Sequence, residues 1–230
     1  MFDVGPPPGR PDPGLLDQLR KVSPSTLGHY TDLGFIRGLQ PNLDRFKLVG
    51  LAVTVRLPHL DSTALHCALD LVQDGDVLVV DQSGDGGRAC WGGVVSVAAK
   101  CRGVAGAIVD GPITDVFEIR ALELPIYSRG VAALTTRILG LEGAINVPVT
   151  VGGVTIVPGD IIFGDENGVV ALSASSAARW VSGLAADEAD EPSWVRRLEA
   201  GESLAAMSGA KALLEKGMRP TRANGEQRGA

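Results

Sequence analysis

A single α/β domain is predicted by three features of the sequence. The apolar run VLVVD (77–81), a glycine loop, an amphipathic stretch (91–102) and a second apolar run (105–110) follow one another as strand, helix and strand. That order implies parallel pairing with a right-handed crossover. Beyond Pro125 the pattern turns to short β-rich segments punctuated by glycine, and past Ser173 to alanine-rich, charged sequence of helical character. With 230 residues, 45% of them hydrophobic, the chain can fill one core, and its length favours one domain with appendages.

The elements follow in order. Residues 1–13 are rich in Pro and Gly and are expected to form a disordered N-terminal tail. Residues 216–230, polar and aperiodic, are expected to form a mobile one, leaving 14–215 as a single domain. Segments 15–22 and 25–33 read as short helices, and LVGLAVTVRL (48–57) as a buried strand. Asp61 is placed to cap a helix over 62–72. The strand-helix-strand unit comes next and is expected once, without repetition. A helix over 114–121 then leads to a strand at 125–128. Strands at 147–151 and 154–157, joined by Gly152-Gly153, read as a hairpin, with further strands at 161–163 and 169–172. Two or three C-terminal helices are expected, broken at Pro192 and near Gly201.

Composition excludes several classes. Net charge is −6, and the 21 basic residues are scattered except for Arg196-Arg197, so no basic stripe predicts nucleic-acid binding. Cys67, Cys90 and Cys101 show no ligand or redox spacing and are expected to be reduced, in a cytoplasmic protein. The start MFDVGPPPGRPDPG lacks signal-peptide character, and no apolar run approaches the ~18 residues of a membrane span.

The segment from Gly93 to Asp115 carries the functional signal, and three readings are open. Gly84, Gly86 and Ala89 satisfy GxGxxA after a strand, with Asp110 placed for ribose recognition, which would suit a dinucleotide. An unrepeated strand-helix-strand unit followed by hairpins argues against that reading. Alternatively, Gly92 and Gly93 open a helix whose unpaired N–H groups and dipole attract a small carboxylate, while Asp115 follows at a strand end as a ligand for Mg²⁺, an ion that needs only one or two protein oxygens. The third reading is structural: glycines for turns, Asp115 and Glu118 as first-turn acids of a helix, and Asp81 and Asp110 as turn residues; Asp81 and Asp85, bordering the glycine loop, fit acids that support the site and turn formation equally well. His59 and His66 flank a helix start, where a general base or a solvated residue fits equally.

GDVLVVD (75–81), WGG (91–93), AAKCRGVAGAIVDG (98–111), PGD (158–160) and DENGVV (165–170) together resemble the RraA-like family. It includes the regulator of ribonuclease E activity and class II 4-hydroxy-4-methyl-2-oxoglutarate / 4-carboxy-4-hydroxy-2-oxoadipate aldolases. The resemblance runs over about residues 48–172. It implies a layered, swivelling-domain-like α/β fold with a central mixed sheet and C-terminal helices, assembled as a homotrimer or hexamer. The aldolase signature is a glycine, twenty residues, Arg-Asp, and an acid three positions later. Here Gly93, Asp115 and Glu118 keep that spacing, but Thr114 stands where the signature has arginine. By resemblance Asp115 binds Mg²⁺ or Mn²⁺, and the Gly92, Gly93, Val94 and Val95 amides hold a 2-oxo-acid carboxylate. Glu118 supports the ion, and Glu188, Asp190 or Glu191 of a neighbouring subunit completes its outer shell. His29 and Tyr30 fall where the family usually carries an aspartate. Losing a preorganised charged donor costs about 2.7–4 kcal/mol, so Thr114 implies an altered substrate or compensation by Arg88 in the glycine loop. The resemblance thus implies a metal-dependent lyase of the aldolase or decarboxylase type with diverged scope, or a non-catalytic regulator acting through a protein partner.

Overall fold

The computed structural model describes residues 1–217. Its elements are β1 (Phe2–Val4), α1 (Pro13–Leu19), α2 (Pro24–Leu27), β2 (Phe35–Ile36), β3 (Gln40–Pro41), β4 (Leu48–Arg56), α3 (Thr63–Ala68), β5 (Val77–Asp81), α4 (Gly93–Cys101) and β6 (Gly106–Ile113). There follow α5 (Val116–Ala121), β7 (Ile126–Val131), β8 (Gly143–Ile145), β9 (Val149–Val151), β10 (Val154–Ile156), β11 (Ile161–Asp165), β12 (Gly168–Leu172), α6 (Ala174–Glu199), α7 (Leu204–Met207) and α8 (Ala210–Gly217). Strands β4, β5, β6 and β7 pair in parallel, in that order, with α3, α4 and α5 as the crossovers. Around them the sheet is mixed, in the order β2-β12-β11-β4-β5-β6-β7-β3.

The near-continuous apolar runs of β4 and β5 follow from burial on both faces. In β4 the odd-numbered residues turn toward helices. Val53 and Val55 pack with Leu65 of α3, Val95 and Ala99 of α4 and Ile119 of α5, and Val49 and Leu51 pack with Leu19, Leu27 and the Ala177, Val181 and Leu184 stripe of α6. The even-numbered Leu48 and Ala52 turn the other way, onto Val149, Val151 and Ile156 of the β9–β10 hairpin. That hairpin turns through Gly152 and Gly153, both with positive φ (53° and 83°), which the two-residue connection requires.

Four expectations need correction. The βαβ unit is repeated: it occurs three times in succession, because 48–57 and 125–128 belong to the same parallel set as β5 and β6. Residues 1–13 are not a disordered tail: β1 pairs in parallel with β8, and Arg10 makes two hydrogen bonds, 2.6 and 3.0 Å, to the buried carboxylate of Asp76. A Pro-rich segment forms no core of its own, yet it is held when a sheet edge and a buried charge await it. Pro192 does not break the helix; α6 continues through it. A mid-helix proline removes one donor at a cost of about 3 kcal/mol, but alanine, leucine, glutamate and arginine elsewhere in α6 favour the helix, and the run ends only near Gly201, where φ is +90°. In place of one domain over 14–215, the chain divides into Met1–Asp187 and a unit starting at Glu188. In the latter, Arg197 pairs with Glu202, and α7 and α8 bury no residue. Of the expected tail 216–230, the first two residues close α8 and the rest lie outside the described residues.

Arg10→Ala leaves the Asp76 carboxylate buried without its ion partner. Urea denaturation should show a loss of about 1–3 kcal/mol; an unchanged midpoint would mean that the arm contributes nothing to stability.

Candidate active-site cleft

The loops that leave the carboxyl ends of the four parallel strands converge on one open cleft of about 310 Å³. Ser62 follows β4, Ala89 to Gly92 follow β5, Thr114 and Asp115 follow β6, and Thr135 to Ile138 follow β7. This is the edge at which α/β sheets gather ligands, because successive parallel strands release their loops on the same side.

The floor is the segment 89–93. Ala89 donates to the Leu134 carbonyl and accepts from Thr136 (2.8 and 3.0 Å), while Trp91 accepts from the Thr114 N–H at 2.9 Å. Trp91 is fully buried and donates its indole N–H to Ser96 Oγ (2.7 Å), which in turn donates to the Gly92 carbonyl (2.9 Å). This chain fixes the entry of α4. At Gly92 a Cβ would stand 2.8 Å from Asp115 Oδ2 and 2.9 Å from Thr114 Cγ2, so a larger residue here would displace both side chains.

Asp115 adopts the left-handed conformation (φ 55°, ψ 44°) directly ahead of α5. Aspartate tolerates this region better than most residues. The conformation brings Oδ2 to the first turn of α4, where it accepts from the Gly93 N–H at 2.8 Å. Among the described residues Oδ1 accepts only from the Thr114 hydroxyl, at a long 3.3 Å. Glu118 stands one turn on, its Cβ beside Gly93.

The outer wall is the loop from Ala132 to Glu142, and Asp61 holds it. Oδ1 of this buried aspartate accepts from the Thr63 N–H and hydroxyl (2.9 and 2.5 Å) and the Leu139 N–H (3.2 Å), while Oδ2 accepts from the Leu141 and Glu142 N–H groups (2.7 and 3.3 Å). Burial pushes its carboxyl upward, but the bonds from Thr63, Leu141 and Leu139 outweigh burial and hold it well below the usual range. Cys90 lines the same cleft with its thiol pushed up to about 12, mainly by burial.

The structure brings together Gly92, Val94, Val95, Thr114 and Asp115 in the cleft lining, with Gly93 and Glu118 against Asp115. Gly93 is a partial correction: its N–H is spent on Asp115, which leaves the Val94 and Val95 amides to meet a carboxylate. Arg88 does not reach into the cleft; its guanidinium pairs with Asp85 at 3.3 Å. Asp85 accepts from the Gly87 and Arg88 N–H groups and Asp81 from Ser83, so both are turn residues. Asp110 binds Arg129 and the Gly152 N–H, and α4 starts well beyond the 84–89 glycines, so the dinucleotide reading loses both its acid and its helix. Tyr30 donates to Asp187 and stacks near Trp180, outside the cleft. Glu188, Asp190 and Glu191 lie on α6, Asp190 accepting from Trp194 at 3.0 Å. His66 lines the cleft and His59 does not. The sequence reading missed Arg137, whose loop has no periodicity; Asp61 at a helix start was the one signal that a loop is anchored there. Among the described residues no group of three or more His, Cys, Asp or Glu is placed to hold an ion, and no helix is long and apolar enough to cross a membrane.

A mixed sheet with a cleft at the ends of its parallel strands, floored by a glycine pair that receives an aspartate, places this chain among the α/β proteins with a ligand-type cleft at the sheet edge. The sequence profile described as RraA-like, Aldolase/RraA, matches residues 15–171. The chain belongs to the RraA-like family. A protein of Halalkalibacterium halodurans named "Putative 4-hydroxy-4-methyl-2-oxoglutarate aldolase" is 40% identical over 134 residues, 58% of this chain and 63% of that one. The chain thus spans less than two thirds of that relative's length. The crystal structure of Streptomyces coelicolor RraAS2, described as an unusual member of the RNase ES inhibitor RraA family, superposes with a TM-score of 0.72 at 33% identity, covering 83% of this chain and 99% of that one. An uncharacterized protein of Pseudomonas syringae pv. tomato gives 0.76 at 26% identity, covering 87% and 96%.

Because the Asp61 pKa is lower in the folded than in the unfolded chain, its stabilisation is complete above the unfolded value of about 3.9 and is lost as pH falls below it. Denaturation measured across the acid range should therefore show a stability loss below about pH 4 that is reduced in Asp61→Asn, which is also less stable at neutral pH. Parallel acid limbs for the two proteins would contradict this role.

Proposed function

We propose that this chain is a divalent-metal-dependent lyase of the aldolase or decarboxylase type, acting on a small 2-oxo or hydroxy carboxylic acid. The observation that carries it is the Asp115 carboxylate, oriented by the Gly93 N–H against the Gly92-Gly93 floor of the cleft. The donor set suits Mg²⁺ or Mn²⁺: one carboxylate with an oxygen left open by the backbone, a second acid one helical turn away, and an open cleft for the waters that Mg²⁺ retains. Asp115 would hold the ion with Glu118 behind it, and Glu188 or Glu191 of a neighbouring subunit in a homotrimer or hexamer would complete the shell. Bound there, the ion would supply Lewis-acid stabilisation of negative charge developing at the 2-oxo end of the substrate. The Val94 and Val95 amides, at the positive end of α4, orient the adjoining carboxylate. Thr114 offers that end one neutral hydrogen bond in place of an arginine's charge, which shifts the preference away from pyruvyl substrates. A cytoplasmic setting fits the free cysteines.

The second reading is a non-catalytic regulator acting by protein binding, favoured by Thr114 and by the likeness to RraAS2. Calorimetry separates the two. Mg²⁺ or Mn²⁺ binding abolished by Asp115→Ala supports the lyase, whereas no ion binding, with no Mg²⁺-dependent turnover across a panel of 2-oxo and 3-hydroxy acids, supports the regulator. If the missing cation alone limits pyruvyl chemistry, Thr114→Arg raises oxaloacetate decarboxylation by roughly 10-fold or more; unchanged or lower activity would show a pocket remodelled beyond one residue.

A further inference from the structure

Residues 1–10 bury no side chain fully, and yet they are fastened at two places far apart in the fold. At the first, β1 lies along β8 in parallel, Phe2 opposite Gly143 through Val4 opposite Ile145, and the Gly5 N–H donates to the Ile145 carbonyl at 2.9 Å. At the second, Arg10 closes on the buried carboxylate of Asp76. Asp76 directly precedes β5, at the amino ends of the parallel strands. β8 lies against the carboxyl end of β4, where the cleft opens. The arm therefore runs from one edge of the sheet to the other.

The cleft wall depends on the first fastening. Loop 132–142 runs straight into β8, a strand of three residues that pairs with β4 at two positions, Val55 with Ile145 and Arg56 with Ala144. So short a strand makes a weak ladder by itself, and β1 supplies a second ladder on its other side. Asp61 grips the same loop from within, at Leu139, Leu141 and Glu142. The end of the wall is thus held between a carboxylate and the arm. Of the two, the arm is the weaker grip, because an exposed segment tied mainly by backbone bonds opens at a far lower free energy than a core element.

The connector joins the two fastenings mechanically. Pro6, Pro7 and Pro8 in succession favour the extended polyproline II rod, which cannot coil to absorb a displacement. The rod is also seated: a Cβ at Gly159, in the turn between β10 and β11 with φ +88°, would stand 2.9 Å from the Pro8 Cβ. A stiff segment in a fitted seat passes a shift at Arg10 on to β1, where a flexible linker would take it up.

We propose that residues 2–10 are a strap that keeps the cleft wall closed, with the proline rod coupling its two fastenings so that release of Arg10 from Asp76 loosens the wall at the opposite edge of the sheet. The strap precedes residues 15–171, the span that matches the family profile. It acts on the cleft whether the cleft serves an enzyme or a binding protein.

Amide hydrogen exchange on the full wild-type chain tests the first half. If the strap holds the wall, the Gly5 amide and the wall amides of Leu139, Leu141 and Glu142 open as one unit, with equal protection; a separation of more than roughly 10-fold in either direction overturns the proposal. Cys90, buried and lining the cleft, reads the coupling once the exposed Cys67 and Cys101 are changed to serine. Its modification by a small disulfide reagent should speed up by roughly 10-fold or more when residues 1–5 are removed, the worth of one or two net backbone hydrogen bonds, and by a similar factor in Arg10→Ala. With Pro6→Gly, Pro7→Gly and Pro8→Gly in place, Arg10→Ala should change the rate by less than about 2-fold, which isolates the coupling. Both accelerations should be independent of urea below the unfolding transition, as local opening is. An unchanged rate in either variant, an acceleration that follows the global unfolding slope, or an equal Arg10→Ala effect with and without the prolines overturns the strap.

Discussion

Burial of the four parallel strands on both faces is the constraint from which the remaining features follow. A strand with helices on one side and a hairpin on the other cannot carry charge along its length, and β4, β5 and β6 are accordingly apolar almost throughout. Polar groups are displaced to the strand ends. Because the strands run the same way, their carboxyl ends all open at one edge, and Ser62, Gly92, Asp115 and Arg137 meet there although they are far apart in sequence. The crossover helices are needed to cover one face, and one of them, α4, also directs its N-terminus into the same opening.

Within that edge, two carboxylates divide the labour. Asp61 is enclosed and saturated with donors from its own chain, so it acts as a clasp that turns an irregular loop into a wall. Asp115 is open to solvent and holds one backbone donor, so its remaining oxygen is available. The difference between the two aspartates is one of unspent acceptor capacity. Charge follows the same division: Arg88 and Arg129 are neutralised by neighbours, and Arg137 is held by its backbone alone.

Much of this was legible in the sequence where a local rule decides it. Hydrophobic period located β4, β5 and β6, and paired glycines located the β9–β10 turn, while Asp115 falls in the cleft lining where the family signature puts it. What was not legible depends on partners remote in the chain. The strand at Phe2–Val4 exists because β8 offers it an edge, 141 positions away at Phe2 and Gly143, and nothing in a Pro-rich arm announces that. Arg137 enters the cleft because Asp61, Leu60 and Ala89 fasten its loop, while Arg88, nearer in sequence to the glycines, is drawn off by an acid three residues earlier. Pro192 was misread because a propensity rule was applied to a helix whose other residues outweigh it.

The left-handed backbone at Asp115 limits what can replace it. Glycine, asparagine and aspartate adopt that conformation more readily than most residues, and asparagine keeps nearly the shape of the side chain while discarding its charge. An Asp115→Asn change is therefore one that the backbone tolerates, and it removes the carboxylate charge while retaining the cleft and the sheet. The left-handed turn thus fixes the shape of the residue at this corner of the cleft more tightly than it fixes its charge.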